Sequence, residues 1–519
     1  MDNQINIKIK KSIFQRLRKH LLHSDGENES FCFLYCYEST SENTKTYYPH
    51  VIVPIDKQDF SKKESIYLKL KRNVMKNAYA DFIMDENFSC LISCHSHPFD
   101  NSDKPVFSKT DDNNDREQAT WFYNDLVKLQ DKYKKSGTQI EYLHLVMSQN
   151  GLNIRKYNIK TRKFEYVNKV IVFSDSASFF FPSQKNERQS QNAFIFSRTD
   201  KAFGDGFTKT ISNLSIAIIG VGGIGSVICE GVARLGIKEL LLIDPDKVEI
   251  SNLNRLQGAS INDVGKYKVD VMKANLEKYF NNLIKIIVFK EDVQSEKIVM
   301  ALKSVDIIIG CVDNHATRYF LNRFSIQYLI PYLDAATRII PNEKSTSVIG
   351  RVGVVLPSIT SCMDCSHITY YNSKEVYFSS ATDIIKQQLE NAGYIKENAN
   401  IISPAVYPQN LTVSGLLLME LMNIVVAYKP LYDNVMLDYS KLDEEKQLAS
   451  SSFNARKEDK LDSCLICDEY LGKGDSVNIL NSSKVDLSGL STIIEKVSKM
   501  ELENYDCMIS GNNIKKNER

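Results

Sequence analysis

"LSIAIIGVGGIGSVICEGVARLG", residues 214–236, decides how about half of this chain folds. An apolar run suited to a buried strand meets Gly220-Val-Gly222-Gly223-Ile-Gly225 and continues as a helix. Glycines at that point let the backbone approach a phosphate at the helix N-terminus, where free amides and the helix dipole favour an anion. The next strand, "KELLLID", ends on Asp244, nineteen positions after Gly225, where an acid usually holds ribose hydroxyls. Strand, glycine turn, helix, strand is the rhythm of a parallel α/β sheet, and it persists from about 195 to 440. Taken alone, the turn fits an NAD-dependent oxidoreductase equally well.

The residues that follow separate the options. "DPDKVEISNLNRLQ" sets Asp246 two places after Asp244, then Asn252, Arg255 and Gln257, with Lys268 after "DVGKY". A dinucleotide has no use for an Asn, an Arg and a Lys converging here, but a triphosphate does. Arg offers forked donors and Lys a compact charge for departing pyrophosphate. "IIIGCVDNHATR" ends an apolar strand on Asp313, well placed for Mg2+ between nucleotide and acyl carboxylate. This set resembles the ThiF/MoeB and ubiquitin-activating-enzyme adenylation fold, over residues 195–445. The resemblance implies ATP and Mg2+ as cofactors and a nucleotide site of Gly220, Gly222, Gly223, Gly225, Asp244, Asp246, Asn252, Arg255, Gln257, Lys268 and Asp313. Of these, Arg255, Lys268 and Asp313 would be catalytic. "SRTDKAFGDG" (197–206) resembles the family's Arg-Gln…Phe-Gly-x-x-Gly motif and nominates Arg198, which in relatives reaches the partner subunit's nucleotide. Thr199 stands where the family has Gln.

A second constellation is "CHSHPFDNSDKPVFSKTDD", residues 94–112. In an extended strand residues two apart face the same side, so His95 and His97 present both imidazoles together. Two His and one carboxylate leave a fourth position on zinc for water, and Asp111 can supply that carboxylate from the loop after the strand. His95-Ser-His97-Pro98 followed by Ser108-Lys-Thr-Asp111 resembles the His-x-His-Pro…Ser-x-x-Asp motif of JAB/JAMM metalloproteases, zinc isopeptidases that cleave after the C-terminal glycine of ubiquitin-like proteins. The resemblance implies a catalytic Zn2+ on His95, His97 and Asp111. It makes Glu29 of "ENESFCFLYCYES" the general base and Ser108 a group that polarises the scissile carbonyl. Glu27 is an alternative base, and the loop from His97 to Ser108 is slightly longer than in the family.

"CMDC" (Cys362, Cys365) and "CLIC" (Cys464, Cys467) are two knuckles that can close a tetrahedral structural zinc site. Their wide separation resembles the split four-cysteine site of ThiF-like enzymes. Thioester-forming members carry a catalytic cysteine between the knuckles, but residues 366–463 contain none. Cys32, Cys36, Cys90, Cys94, Cys229 and Cys311 fall in apolar segments and read as core, leaving Cys507 as the one thiol expected to be mobile.

Composition bounds the rest. The 519 residues suggest several domains, and a net charge of +1 argues against nucleic-acid or membrane partners. The N-terminal "MDNQINIKIKKSIFQRLRKH" has basic residues where a signal peptide needs an apolar core, and "LLLMELMNIVVAY" is short for a membrane span and carries Glu420. Eleven cysteines with two Cys-x-x-Cys pairs suggest zinc rather than disulfides and a cytoplasmic protein. The expected fold class is α/β. A JAMM-type mixed α/β domain spans 1–175, with helices over "SIFQRLRKHLL" and "TWFYNDLVKLQDKYKKSG" and two or three strands around a turn at Asn150-Gly151. A linker follows at 176–194, then the Rossmann-like doubly wound adenylation domain at 195–445. A polar hinge, "EEKQLASSSFNARKEDK", leads into the second zinc knuckle at 446–475, and 476–519 is a weakly patterned tail.

The expected function joins an ATP-dependent, ubiquitin-activating-like adenylyltransferase to a zinc metallo-isopeptidase. It would trim or deconjugate a ubiquitin-like protein or peptide with a C-terminal glycine tail and adenylate its carboxylate for a conjugating enzyme or other acceptor. The resemblance implies a homodimer through the adenylation domain, in a bacterial-type conjugation, sulfur-carrier or defence pathway. The alternatives are a peptide-adenylating relative with a maturation protease, an NAD-dependent oxidoreductase, and a catalytically inactive scaffold.

Overall fold

The computed structural model describes residues 4–22, 29–64, 67–132, 140–183, 195–204, 206–280, 283–341, 346–369, 405–440 and 451–479. Glu27, Cys507 and most of the expected linker and tail lie outside these residues.

Alternation builds the N-terminal half. The strands are β1 (Gln4–Ile9), β2 (Phe31–Thr40), β3 (Thr44–Pro54), the separate hairpin β4 (Phe60–Glu64) and β5 (Tyr67–Leu70), β6 (Cys90–Ser96), β7 (Glu141–Met147), β8 (Leu152–Asn158), β9 (Lys163–Tyr166), β10 (Lys169–Phe173) and β11 (Ala177–Phe180). Nine of them form one sheet in the order β11-β10-β1-β3-β2-β6-β7-β8-β9. Along β2, Phe31, Phe33, Tyr35 and Tyr37 enter one core with α2 (Arg72–Met84) and α3 (Lys109–Lys132). Cys32, Leu34 and Cys36 enter the opposite core, under Ile13, Leu17 and Leu21 of α1 (Lys11–Leu22). A sheet covered on both faces needs apolar side chains at both parities, which is why β2 opens on the apolar run Phe31–Tyr37 and β6 on Cys90–Ile92.

The C-terminal half carries α4 (Ser197–Phe203), α5 (Gly206–Ile211), β12 (Ser215–Ile219), α6 (Gly225–Leu235), β13 (Glu239–Ile243), α7 (Lys268–Phe280), β14 (Lys285–Phe289), α8 (Glu296–Leu302), β15 (Ile307–Gly310) and α9 (His315–Tyr328). There follow β16 (Tyr332–Pro341), β17 (Thr346–Val355), α10 (Tyr407–Val426), β18 (Asn434–Ser440), β19 (Ser451–Arg456) and α11 (Leu465–Glu469). The sheet order is β14-β13-β12-β15-β16-β17-β18-β19, parallel from β14 through β16. β12 therefore sits where the strand order reverses, and ligands of such sheets bind in the crevice at that switch point.

Several expectations need correction. The helix expected at Thr120 begins at Lys109, so Asp111 lies in its first turn rather than in a loop. Polar "TDDNND" hides that turn from hydrophobic periodicity. The expected hinge contains β19, an edge strand paired with β18, and the expected linker contains β11 of the first sheet. The apolar segment dismissed as short becomes α10, twenty residues long, and by length and composition alone it could span a membrane. It packs instead on α6, β16 and β17, with Gln409, Asn410, Glu420 and Asn423 buried.

The two halves are docked rather than loosely tethered. Phe31, Tyr48 and Phe173 belong to the same buried cluster as Ile218, Phe324 and Leu329. Asp475 accepts from the Thr40 amide (3.0 Å) and from Tyr328 Oη (2.9 Å), so residues just past the second knuckle bridge the halves. Buried Lys169 pairs with buried Asp306, and Lys8 Nζ donates to the Tyr328 carbonyl at 3.3 Å. Burial lowers the Lys8 ammonium to about 7, with Lys169 acting in the same direction and Asp306 opposing both. Asp306→Ala leaves those lysines without their buried counter-charge and is expected to cost about 3–5 kcal/mol. Urea denaturation measures this, and a loss below about 1 kcal/mol, the worth of an exposed pair, would contradict it.

Candidate functional site

The glycine turn packs at the switch point against Cys311, two residues before Asp313. Gly220 has φ +87°, and a Cβ there would lie 2.7 Å from the Cys311 carbonyl oxygen. A Cβ at Gly225 would lie 1.9 Å from the Gly220 carbonyl oxygen. No larger residue fits either place, so the turn packs directly on the backbone just before Asp313. Asp313 itself is exposed. Behind it, Asn314 caps α9 by accepting from the Thr317 amide at 2.7 Å. Buried Arg318 donates to the Val312 carbonyl and, at 3.1 Å, to Asp334. The Asp-Asn-x-x-x-Arg pattern thus holds one solvent-facing acid on a braced turn.

The other nucleotide-site nominees divide into those that face the crevice and those that shape it. Arg255 side-chain carbons would lie 3.3–3.4 Å from a Cβ at Gly223, and its guanidinium donates to the Ser251 carbonyl at 2.7 Å. Lys268 Nζ meets exposed Asp246 at 2.7 Å. Asp244 is buried and accepts from the Val221 and Asp246 amides at 2.7 and 2.8 Å, tying β13 to the glycine turn. Burial raises its carboxyl above the usual range, against the opposing Lys268 charge. Asn252 does not converge with Arg255 and Lys268: its side chain turns back to cap its own 3-10 turn with Glu249. Gln257 is also occupied, donating to Glu230 at 2.7 Å and accepting from Tyr407 Oη. Arg198 lies exposed on α4, apart from these contacts. Sequence reasoning missed Tyr407 and Asn410, which bring α10 to this turn; proline at a helix start, as in "AVYPQN", was the available signal.

A second cluster sits in the N-terminal half. The antiparallel register pairs Phe31 with His95, which carries Glu29 beside His97. His97 Nε2 lies 3.4 Å from Asp111 Oδ2 and 3.9 Å from Glu29 Oε1, and His95 Nε2 lies 3.3 Å from Asp111 Oδ1. Ligand atoms of His95, His97 and Asp111 all fall within 4.8 Å of one another. Buried His95 Nε2 makes no aligned hydrogen bond among the described residues and has Asp111 Oδ1 3.3 Å away, an arrangement that a metal held by both would complete. The donor set therefore fits zinc. Burial would raise the Asp111 carboxyl, but His95, His97 and the Ser108 amide hold it well below the usual range. Burial raises Glu29, against the pull of both histidines. Ser108-x-x-Asp111 is also a capping box: the Ser108 amide donates to Asp111 at 2.6 Å and the Asp111 amide to Ser108 Oγ at 3.1 Å. One turn on, buried Asp115 accepts from Arg155 at 2.6 Å and lies 3.2 Å from His144 Nδ1, anchoring the helix that presents Asp111.

The four knuckle thiols also meet. Sγ atoms lie 3.7 Å apart for Cys362–Cys365, 3.6 Å for Cys362–Cys464 and 3.9 Å for Cys365–Cys467. Zn–S bonds of about 2.3 Å in a tetrahedron make S–S edges of about 3.8 Å, so these thiols fit zinc without rearrangement.

Residues 196–465, just over half of the chain, match the ThiF family. The chain belongs to the ThiF family. Over 81 residues it is 44% identical to the tRNA threonylcarbamoyladenosine dehydratase of Bacillus subtilis (strain 168), covering 16% of this chain and 32% of that protein. It is 27% identical over 174 residues to SUMO-activating enzyme subunit 2 of Dictyostelium discoideum, covering 33% of this chain and 25% of that one. Ubiquitin-like modifier-activating enzyme 5 of the same organism is 28% identical over 168 residues, with coverage of 30% and 42%. This ThiF-family chain thus spans between a quarter and about two fifths of the length of these curated relatives. Among solved structures, E. coli MccB with ATP aligns at 20% identity and a TM-score of 0.41, covering 53% of this chain and 74% of that chain.

Proposed function

We propose that the ThiF-family half adenylates the C-terminal carboxylate of a ubiquitin-like protein or peptide, and that the N-terminal half is a zinc isopeptidase acting on the same tail. The observation that carries the adenylation reading is the glycine turn packed against the backbone that leads into exposed Asp313, at the switch point of the sheet. A carboxylate oxygen attacks the α-phosphorus of ATP, the bond from that phosphorus to pyrophosphate breaks, and acyl-adenylate and pyrophosphate form with no proton transferred. Arg255 and Lys268 would neutralise the charge that moves onto pyrophosphate, and Asp313 would hold Mg2+. Arg198, exposed on α4, would serve a neighbouring protomer of a homodimer formed through this half.

In the N-terminal half, His95, His97 and Asp111 would hold zinc, which when bound supplies Lewis-acid activation of water and of the scissile carbonyl. Glu29, buried 3.9 Å from His97, would take and return the proton. Ser108 would serve through its exposed side chain once its capping role allows. The four thiolates would hold a structural zinc that ties the chain after β17 to α11.

Both sites suit one order of events. A precursor ending beyond its glycine has no carboxylate at the reacting position until the extension is removed. The test compares precursor with pre-trimmed substrate in Glu29→Ala. That variant is expected to adenylate trimmed substrate at the normal rate and to fail on precursor; equal treatment of the two would show that the halves do not act in series.

A further inference from the structure

The N-terminus of α10 closes over the glycine turn, and two polar side chains hold it there. Tyr407 Oη donates to Gln257, in the loop that carries Arg255. Ser414 Oγ donates to the Ile224 carbonyl at 3.3 Å. Between them lies Asn410, only 2% exposed. A Cβ at Gly223 would fall 2.4 Å from Asn410 Nδ2, so glycine at 223 is what admits this amide.

The amide has a set orientation. Thr337 Oγ1, on β16, donates to Asn410 Oδ1 at 3.3 Å, which turns the acceptor end away and leaves the NH2 facing the glycine turn. Among the described residues Nδ2 meets no acceptor. Beside it, a Cβ at Gly222 would meet no described residue within 4 Å, which leaves space among them for a ligand atom. The first turn of α10 adds the positive end of a twenty-residue helix. A donor on a side chain only 2% exposed, set against the glycine turn and donating no hydrogen bond among the described residues, suits an oxygen that arrives with the ligand.

We propose that Asn410 binds the nucleotide, its Nδ2 donating to a non-bridging α-phosphate oxygen of ATP. This inference rests on the adenylation reading and adds a residue to it. Depth selects the phosphate. Asn410 is 2% exposed against the glycine turn, whereas Lys268 meets exposed Asp246 and is the cation proposed above for departing pyrophosphate. A neutral amide also suits the α-phosphate, which stays in the acyl-adenylate and must later be released, better than a second fixed cation would.

The test titrates the purified full chain, in Mg2+, with ATP, AMP and adenosine. Asn410→Asp keeps the shape, removes the donors and sets a negative charge at the contact. It is expected to weaken ATP and AMP at least about tenfold and to leave adenosine within about twofold. Thr337→Val, which frees the amide to rotate, is expected to shift ATP and AMP the same way by a smaller factor, and covers the case in which Asn410→Asp fails to fold. Unchanged ATP and AMP binding would overturn the proposal, as would an equal loss for adenosine, which marks a structural role. Loss for ATP alone would overturn the α-phosphate assignment. Failure of the wild-type chain to bind ATP would instead remove the adenylation reading itself.

Discussion

Asp313→Ala abolishes substrate-dependent exchange between pyrophosphate and ATP while leaving the fold intact. That is the expected result because Asp313 is exposed and its turn is held by other residues, Asn314 at the α9 cap and Arg318 between Val312 and Asp334. Losing the acid removes the proposed Mg2+ ligand without loosening the backbone that presents it. Arg255→Ala and Lys268→Ala are each expected to slow exchange by about 10²-fold or more, as loss of preorganised donors to developing charge does. The assay follows labelled pyrophosphate into ATP with a glycine-terminated tail, and circular dichroism checks the fold. Exchange at the wild-type rate in all three variants would put the nucleotide site elsewhere.

His97→Ala is the second large effect. The wild-type chain is expected to carry two zinc equivalents, one on His95, His97 and Asp111 and one on the four thiolates. The variant should keep one equivalent and lose all peptidase activity, while exchange continues, since His97 follows the end of β6, a strand of the other sheet from the one that carries the glycine turn. The two ions should also differ in lability. Four thiolates clipping distant segments release zinc slowly, whereas a three-ligand site with an open position yields it to a mild chelator. Elemental analysis with an unchanged metal count in His97→Ala would sink the assignment of the first site.

Much of both sites could be read in advance because their geometry is local. Gly220 and Gly225 stand where neighbouring backbone leaves no room for a Cβ, and that demand is written within six consecutive letters. His95 and His97 share a face because strand periodicity is two. Asp111 was found, but the first turns of its helix, from Lys109 to the expected start at Thr120, were not. Ser108-x-x-Asp111 carries a capping box as well as a zinc-site pattern, and the polar turn after it has no apolar period to reveal it. The same two residues answer to both readings.

The parallel part of the second sheet with its glycine turn, the paired histidines and the two thiol knuckles were legible in the chain of letters, because each depends on residues a few positions apart, whereas the antiparallel β17, β18 and β19 were not. Which polar residues face the crevice and which brace it emerged only from the packed layers. Arg318 turned inward to Asp334, Asn252 capped its own turn, Gln257 was drawn to Glu230 and Tyr407, and Asn410 arrived from nearly two hundred residues beyond Gly223. The docking of the halves through Lys169 and Asp306 was equally hidden. A side chain's local pattern gives its face, but its partner is set by which buried donors and acceptors the assembled layers leave unpaired, and that matching is not local.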